Sequence, residues 1–373
     1  MNITIIGCGN IGSYLAVLFS KNINNKVFLY TKKTINKELY INYIEENKTF
    51  KSGLINISKN YKDCIRNSNL IFITYPSFML EQCIIDISSY LKKGSVVIVI
   101  PGFGGSEFLH NYITSRGSIM IGLKRVPAIV RYDVLKNIVN VSSVKPEIFI
   151  ASIPLKEAYN YKEVLKKLFK VKVTVLKNYA GISFTSSNPL LHTARLYDLF
   201  KEAQKEQIYN KKIRFYQKWT LNSSRLLIDL DKEMSLIVRK VTNNSYQIKT
   251  VLEHYEVDDD LSLTNKIKSI EAFKNIDAPF IKIDQNKYQI DWESRYFKED
   301  FPYGLCIIKG YAILAKISTP TIDKIIKWYQ TIIKKEYIIN EFKLGKDYLE
   351  TGMPQKYGIK SLKELENVFK NNR

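Results

Sequence analysis

The chain has 373 residues, 45% of them hydrophobic and 25% charged, and its 57 Lys and Arg against 36 Asp and Glu leave a formal net charge of +21. That length fits two domains whose cores are large enough to need no covalent staples, and no apolar run approaches the roughly 18 residues of a membrane-spanning helix. The basic residues are spread along the chain rather than gathered into an Arg-rich tract, so they read as a surface that attracts small anions and not as a nucleic-acid footprint.

The opening, MNITIIGCGNIG, is a short apolar strand over 3–6 that runs into a glycine loop. It lacks the charged start, long apolar stretch and cleavage site of a signal peptide, so the expected location is the cytoplasm. A helix is predicted over 11–20 and a strand over 26–30. β-branched or apolar runs predict further strands at 70–74, 95–100, 119–123, 147–151 and 172–176. Helical patterns lie between several of them, at 61–67, 79–91, 107–114 and 162–169. Strands alternating with helices predict a Rossmann-type, doubly wound parallel sheet over residues 1–180. After Ala180 the alternation stops. Helices are predicted over 189–207, 211–240, 245–254, 263–273 and 321–341, with loops at 258–260 and 282–291, so 181–373 reads as a mostly α-helical substrate and catalytic domain. A ligand cleft between the two is the default expectation. The four cysteines, Cys8, Cys64, Cys83 and Cys306, form no metal-ligand spacing and read as free thiols. No metal is expected.

Gly7-Cys8-Gly9-Asn10-Ile11-Gly12 follows a strand and opens a helix, the context in which this glycine pattern binds a dinucleotide. Gly7 permits the tight turn, Gly9 lets backbone approach the pyrophosphate, and Gly12 allows close helix–strand packing, with the phosphates at the helix N-terminus beside Asn10 and Ile11. An acidic residue at the end of the second strand would hold the ribose 2′-hydroxyl of NAD. The residues there are Thr31, Lys32 and Lys33, which would attract a 2′-phosphate, so NADP(H) is expected over NAD(H). Tyr75-Pro76 and the loop containing Gly102 follow predicted strands, where open α/β sheets bind ligands, and are expected to wall the nicotinamide pocket.

At this point several pieces stand in a telling order: the glycine loop, LIFITYPS at 70–77, PGFG at 101–104, KRVPA at 124–128, NPLLH at 188–192, RYFKEDFPYGL at 295–305 and STPT at 318–321. Together they resemble the octopine/nopaline (opine) dehydrogenases over nearly the whole chain. The first three are shared with many Rossmann reductases; the NPxxH and EDxPYGL segments are much more specific. The resemblance implies an enzyme that condenses the amino group of an amino acid with a 2-keto acid and reduces the imine with NAD(P)H. It implies that His192 is the catalytic acid/base and Asp300 its carboxylate partner, with Asn188 and Tyr303 of the same motifs near the substrate. One departure is Thr193, where the family usually has proline.

Proton transfers near neutral pH suit histidine, and a buried carboxylate can orient its ring. Of the three histidines, His110 is expected on a surface helix and His254 at the end of a polar one. Asn188-Pro189 is a natural helix start, so His192 is expected in the first turn of its helix; on the residues alone it is equally a structural histidine, and the resemblance favours catalysis. Two substrate carboxylates need cations. Arg125 and Arg131 flank the Val126-Pro127 turn, Arg195 is at i+3 from His192, and Arg295 precedes the Asp300 segment. The expected partners are small-molecule substrates, with no nucleic acid and no membrane, and a homodimer is left open. Two other readings remain: a reductase of the ketopantoate or glycerol-3-phosphate dehydrogenase type, which commonly relies on a catalytic lysine, and a non-catalytic NADP(H)-binding sensor.

Overall fold

The computed structural model describes residues 1–32, 38–46, 48–184 and 187–370. It divides into two compact units, Met1–Thr185 with Asn367–Arg373, and Ser186–Glu366. The boundary expected at 180 falls at the start of a short helix, Ala180–Ser183, that belongs to the first unit, and the tail of the chain returns to that unit.

The first unit contains strands β1 (Asn2–Ile6), β2 (Lys26–Tyr30), β3 (Glu38–Leu39), β4 (Asn42–Glu45), β5 (Lys48–Lys51), β6 (Ile55–Ser58), β7 (Leu70–Ile73), β8 (Val96–Val99), β9 (Ile119–Leu123), β10 (Ala128–Asp133), β11 (Ile138–Val144), β12 (Glu147–Ile153) and β13 (Lys172–Val175). Its helices are α1 (Asn10–Ser20), α2 (Tyr61–Ile65), α3 (Ser77–Ser88), α4 (His110–Thr114), α5 (Glu157–Phe169) and α6 (Ala180–Ser183). Nine strands form one sheet in the order β13-β12-β9-β8-β7-β1-β2-β6-β3. The central strands β7 and β8, LIFI and VVIV, are buried at every residue, as a sheet covered on both faces requires. Phe19 of α1 packs on Phe72 of β7 and Phe169 of α5 at 4.8 and 5.4 Å between ring centroids.

The sheet is parallel except at two pairs, β12 against β9 and β3 against β6. The first exception has a local cause. The chain leaves β9 not by a helix but by the hairpin β10–β11, which no periodicity had signalled, and a return without a crossover helix must be antiparallel. β10, β11, β4 and β5 make a second, four-stranded sheet.

The second unit contains α7 (Ser187–Phe200), α8 (Leu221–Val241), α9 (Val251–Tyr255), α10 (Asp260–Ser269), α11 (Arg295–Lys298), α12 (Cys306–Ala315), α13 (Pro320–Ile333) and most of α14 (Leu362–Lys370). The helix expected from 211 begins only at Leu221, because Thr220 caps it, its hydroxyl accepting from Ser223 N at 3.0 Å. The helix expected over 245–254 shrinks to α9. The loop expected at 282–291 is the hairpin β14 (Phe280–Asp284) and β15 (Lys287–Ile290), and the last turns of the helix expected to 341 are replaced by β16 (Ile338–Asn340), paired with β17 (Lys343–Leu344). Glu233 on α8 accepts from Thr321 N at 2.7 Å and Ile322 N at 3.0 Å, capping α13, while fully buried Lys309 pairs with Asp323 at 2.5 Å. These contacts fix α8, α12 and α13 as the frame on which the site below is built.

Candidate active site

Gly7 has φ +109°, a left-handed conformation open to glycine, and its N–H donates to Tyr30 O at 3.2 Å. A Cβ on Gly12 would lie 1.7 Å from Gly7 O, whereas one on Gly9 would meet nothing within 4 Å. The turn is thus closed on its inner side and open at Gly9. Helix α1 starts there with no side-chain cap, so its first N–H groups are available to an anion. The Asn10 side chain is occupied elsewhere: Oδ1 accepts from Tyr132 N of β10 at 2.9 Å. Ile11 packs against the core. Both residues can serve a phosphate through backbone N–H. The chemistry of this donor set fits a dinucleotide.

Thr74 Oγ1 donates to Ile6 O at 3.0 Å, and the Tyr75 ring lies against Gly7, so Tyr75 and Pro76 border the turn. Burial pushes the Tyr75 phenol up to about 12, and it stays a neutral group. Gly102 calls for a correction. It is buried, and a Cβ there would come within 2.6 Å of Gly122 Cα, so packing on β9 by itself requires glycine at this position, whereas the expected reason was the approach of a ligand ring. Thr31 is buried and its N–H donates to Ser58 O at 3.0 Å; Lys32 is exposed; Lys33 lies outside the described residues. Because Tyr30 pairs with Ser58, Thr31 and Lys59 emerge side by side from parallel strands. Lys59, exposed, is a further cation here that the sequence reading missed.

In the second unit His192 sits in the second turn of α7, one turn later than expected. Its Nδ1 is 2.7 Å from Asp300 Oδ2 and its Nε2 is 3.0 Å from the Tyr216 hydroxyl. The ring meets Tyr296 edge-on at 4.7 Å and Phe215 at 5.9 Å. Asp300 immediately precedes a π-helical turn, Phe301–Leu305, in which a Cβ on Gly304 would stand 2.7 Å from Pro189. The two specific sequence motifs therefore touch, and the glycine lets the turn approach α7 closely enough for Asp300 to reach His192. Burial raises the Asp300 carboxyl above its ordinary range, opposed by the neighbouring His192 and reinforced by the like charge of Glu299. Glu299 itself turns to Arg295, accepting from Nε at 3.0 Å and Nη2 at 2.5 Å. Neutral His192 satisfies both neighbours when Nδ1–H donates to the Asp300 carboxylate and Nε2 accepts the Tyr216 proton; this tautomer is assigned from the contacts.

The expected carboxylate binders separate. Arg195 is corrected: it is 1% exposed, and its Nε donates to Phe215 O at 2.9 Å, Nη1 to Ser223 Oγ at 3.3 Å and Nη2 to Lys218 O, with Asp198 as counter-ion. Sharing a helix face with His192 put it inside the core, where it holds the loop that carries Tyr216. Arg125, half-buried after β9, depresses the ammonium groups of Lys124 and Lys145, both already lowered by burial, so three cations converge there. Arg131 is exposed on β10, next to the residue that bonds Asn10. Asn188 is exposed in the first turn of α7, and Tyr303 is half-buried in the π-helical turn. His110, expected on a surface, is buried, with Nδ1 2.7 Å from Glu107 O. Tyr216 carried no sequence signal: it lies 24 positions from His192, in a segment read as helix.

Residues 175–333 match the family described as NAD/NADP octopine/nopaline dehydrogenase, alpha-helical domain, and residues 2–116 match the NAD-dependent glycerol-3-phosphate dehydrogenase N-terminus. The chain is 25% identical to the tauropine dehydrogenase of Arabella iricolor, over 97% of this chain and 99% of that protein. It superimposes on an octopine dehydrogenase solved with NADH and L-arginine with a TM-score of 0.83, at 21% identity and covering 100% of this chain and 98% of the other. For a yersinopine dehydrogenase bound to NADP+ the TM-score is 0.65 at 13% identity, again over 100% and 98%.

Proposed function

The chain belongs to the octopine/nopaline dehydrogenase family, and from that premise we propose an NADPH-linked reductive condensation in which His192, paired with Asp300, carries the protons. The protein is an NAD(P)-dependent oxidoreductase acting on CH–NH bonds: it joins an amino acid to a 2-keto acid and reduces the product. The observation that carries our assignment of roles is the partly buried His192–Asp300 pair at 2.7 Å, within the stretch that matches the family's helical domain.

The glycine turn and the N-terminus of α1 hold the pyrophosphate. Lys32 and Lys59, flanking Thr31, hold the 2′-phosphate of NADPH; residues 29–33 at the end of the second strand contain no carboxylate to repel it. When bound, the nicotinamide supplies a hydride to the imine carbon. His192 takes a proton from the substrate ammonium group, which frees the amine to attack the keto carbon, and returns one to the hydroxyl that departs as water. Asp300 stabilises the charged ring between these steps. In the second unit Arg295 offers its guanidinium to a substrate carboxylate; in the first, Arg125 with Lys124 and Lys145 beside it forms a cation cluster whose mutual repulsion a bound carboxylate would relieve. Four free, buried cysteines fit a reducing compartment, and we place the enzyme in the cytoplasm.

A panel of amino acids offered with pyruvate, oxaloacetate or 2-oxoglutarate tests this, with NADPH loss as the signal. Turnover that needs both substrates is expected for at least one pair. NADPH that binds but is consumed with no pair would leave the sensor reading standing. The unmodified protein should bind NADPH more tightly than NADH, and Lys32→Glu should narrow or reverse the difference; equal dissociation constants before mutation would refute the cofactor preference.

A further inference from the structure

Neither ring nitrogen of His192 is open to a substrate. Nδ1 faces Asp300 at 2.7 Å and Nε2 faces the Tyr216 hydroxyl at 3.0 Å. A proton that reaches or leaves Nε2 must pass through the Tyr216 oxygen or push that side chain aside. Pushing it aside is costly. Tyr216 is 4% exposed, its ring is stacked on Phe273 at 4.2 Å, lies parallel to Trp219 at 6.2 Å and meets Phe215 edge-on at 4.9 Å. Its loop is pinned on both sides by Arg195, which holds Phe215 O and Lys218 O, and Trp219 N donates to Tyr216 O at 2.9 Å.

The phenol is also unsuited to carrying charge. Burial, with the neighbouring phenols and carboxylate, pushes it far above its ordinary value, so it works as a neutral O–H that accepts one proton while giving up another. Tyr216 has an outlet as well: it hydrogen-bonds Tyr296, which is only half-buried.

We propose that Tyr216 relays protons between His192 and the reacting groups, and that Arg195 is a positioning residue that holds the relay in place. The proposal rests on the reading of His192 and Asp300 as the acid–base pair. In the step that expels water, the Tyr216 O–H bond breaks as a bond forms to the departing hydroxyl oxygen, directly or by way of the Tyr296 hydroxyl. The Nε2–H bond breaks as its proton moves to the Tyr216 oxygen. The imidazolium becomes imidazole, the C–O bond breaks with its electron pair going to oxygen, water departs neutral while the amine lone pair forms the C=N bond and the positive charge remains on the iminium, and Tyr216 ends as it began. The reverse sequence serves deprotonation of the substrate amine.

The test compares unmodified enzyme, Tyr216→Phe and His192→Ala with the best substrate pair from the panel. Rates are measured in mixtures of H2O and D2O, at limiting amino acid and saturating NADPH. A relay moves two protons together, so the unmodified enzyme should give a bowed dependence on deuterium fraction. Tyr216→Phe keeps the ring stack, should melt at the wild-type temperature, should lower kcat by about 10- to 100-fold with cofactor KM unchanged, and should turn the dependence linear. A linear dependence in the unmodified enzyme overturns the relay whatever the variant does. So does a Tyr216→Phe enzyme with wild-type kcat, or one that is slowed while its isotope dependence stays bowed, which would mark a structural role. Near-normal turnover in His192→Ala would instead overturn the acid–base assignment beneath it.

Discussion

The two ligand-handling regions of this molecule are built in opposite ways. The glycine turn of the first unit is assembled from residues 7–12, and its requirements are steric: a Cβ at Gly12 would overlap backbone, and a Cβ at Gly9 would not. The site around His192 draws its chemistry from Asp300, 108 positions away, and from Tyr216, 24 positions away, and its requirements are electrostatic. A backbone-determined site announces itself by residue type at fixed spacing. A site made from converging side chains shows one or two of its members and conceals the ones that give them their properties.

The strongest way to break the comparison is His192→Ala. It should reduce turnover by roughly two to four orders of magnitude while leaving the dissociation constant for NADPH, followed by fluorescence titration, nearly unchanged. Loss of both together would mean that the two regions are not separable. Asp300→Asn keeps the shape and removes the charge, with an expected loss on the order of 10- to 1000-fold. Glu299→Gln loosens the pair with Arg295 and removes the like charge beside Asp300 but leaves the His192–Asp300 hydrogen bond in place, so it should cost less than Asp300→Asn.

The steric side is sharpened by two alanines in one turn. Gly12→Ala drives a methyl into Gly7 O and should lower stability by about 1–3 kcal/mol, visible as a lower melting temperature without ligand. Gly9→Ala should melt like the unmodified protein yet bind NADPH about tenfold more weakly, since the new methyl occupies the space through which the pyrophosphate approaches. Equal cofactor affinity in Gly9→Ala would remove the turn from the cofactor site.

A further expectation concerns a buried carboxylate of the frame. Asp231 on α8 accepts from Val251 N at 2.9 Å, capping α9, and burial together with the charge of Glu253 pushes its carboxyl up to about 6 despite that bond. Its folded-state value lies above the unfolded one, near 3.9. Between about pH 4 and 6 the folded chain therefore holds a proton that the unfolded chain has released. Stability falls as pH rises through that window, by on the order of 2–3 kcal/mol, and stays lower above it. Asp231→Asn keeps an acceptor for Val251 and removes this cost. It should raise the melting temperature at pH 7.5, with a gain that shrinks toward pH 4. A gain independent of pH would point to packing instead of charge.

Much of the first unit was legible because its determinants are local. Apolar runs such as LIFI and VVIV mark strands buried on both faces, and glycine spacing marks a turn whatever surrounds it. The same locality explains the errors. The hairpins β10–β11 and β14–β15 bury their residues only in part, so their periodicity is weak, and the short π-helical turn before α12 has no pattern of its own. For the second unit, the sequence by itself determined that a histidine, an aspartate and several arginines were present, and by resemblance which two belonged together. The tertiary structure alone decided that Gly304 packs on Pro189 beside Asp300, that Arg195 spends its donors on carbonyls of the 215–218 loop, and that Tyr216 is thereby set on Nε2 of His192. Hydrogen-bond partners are chosen by distance in space, and chain spacing specifies such distances only within a helical turn or a strand pair.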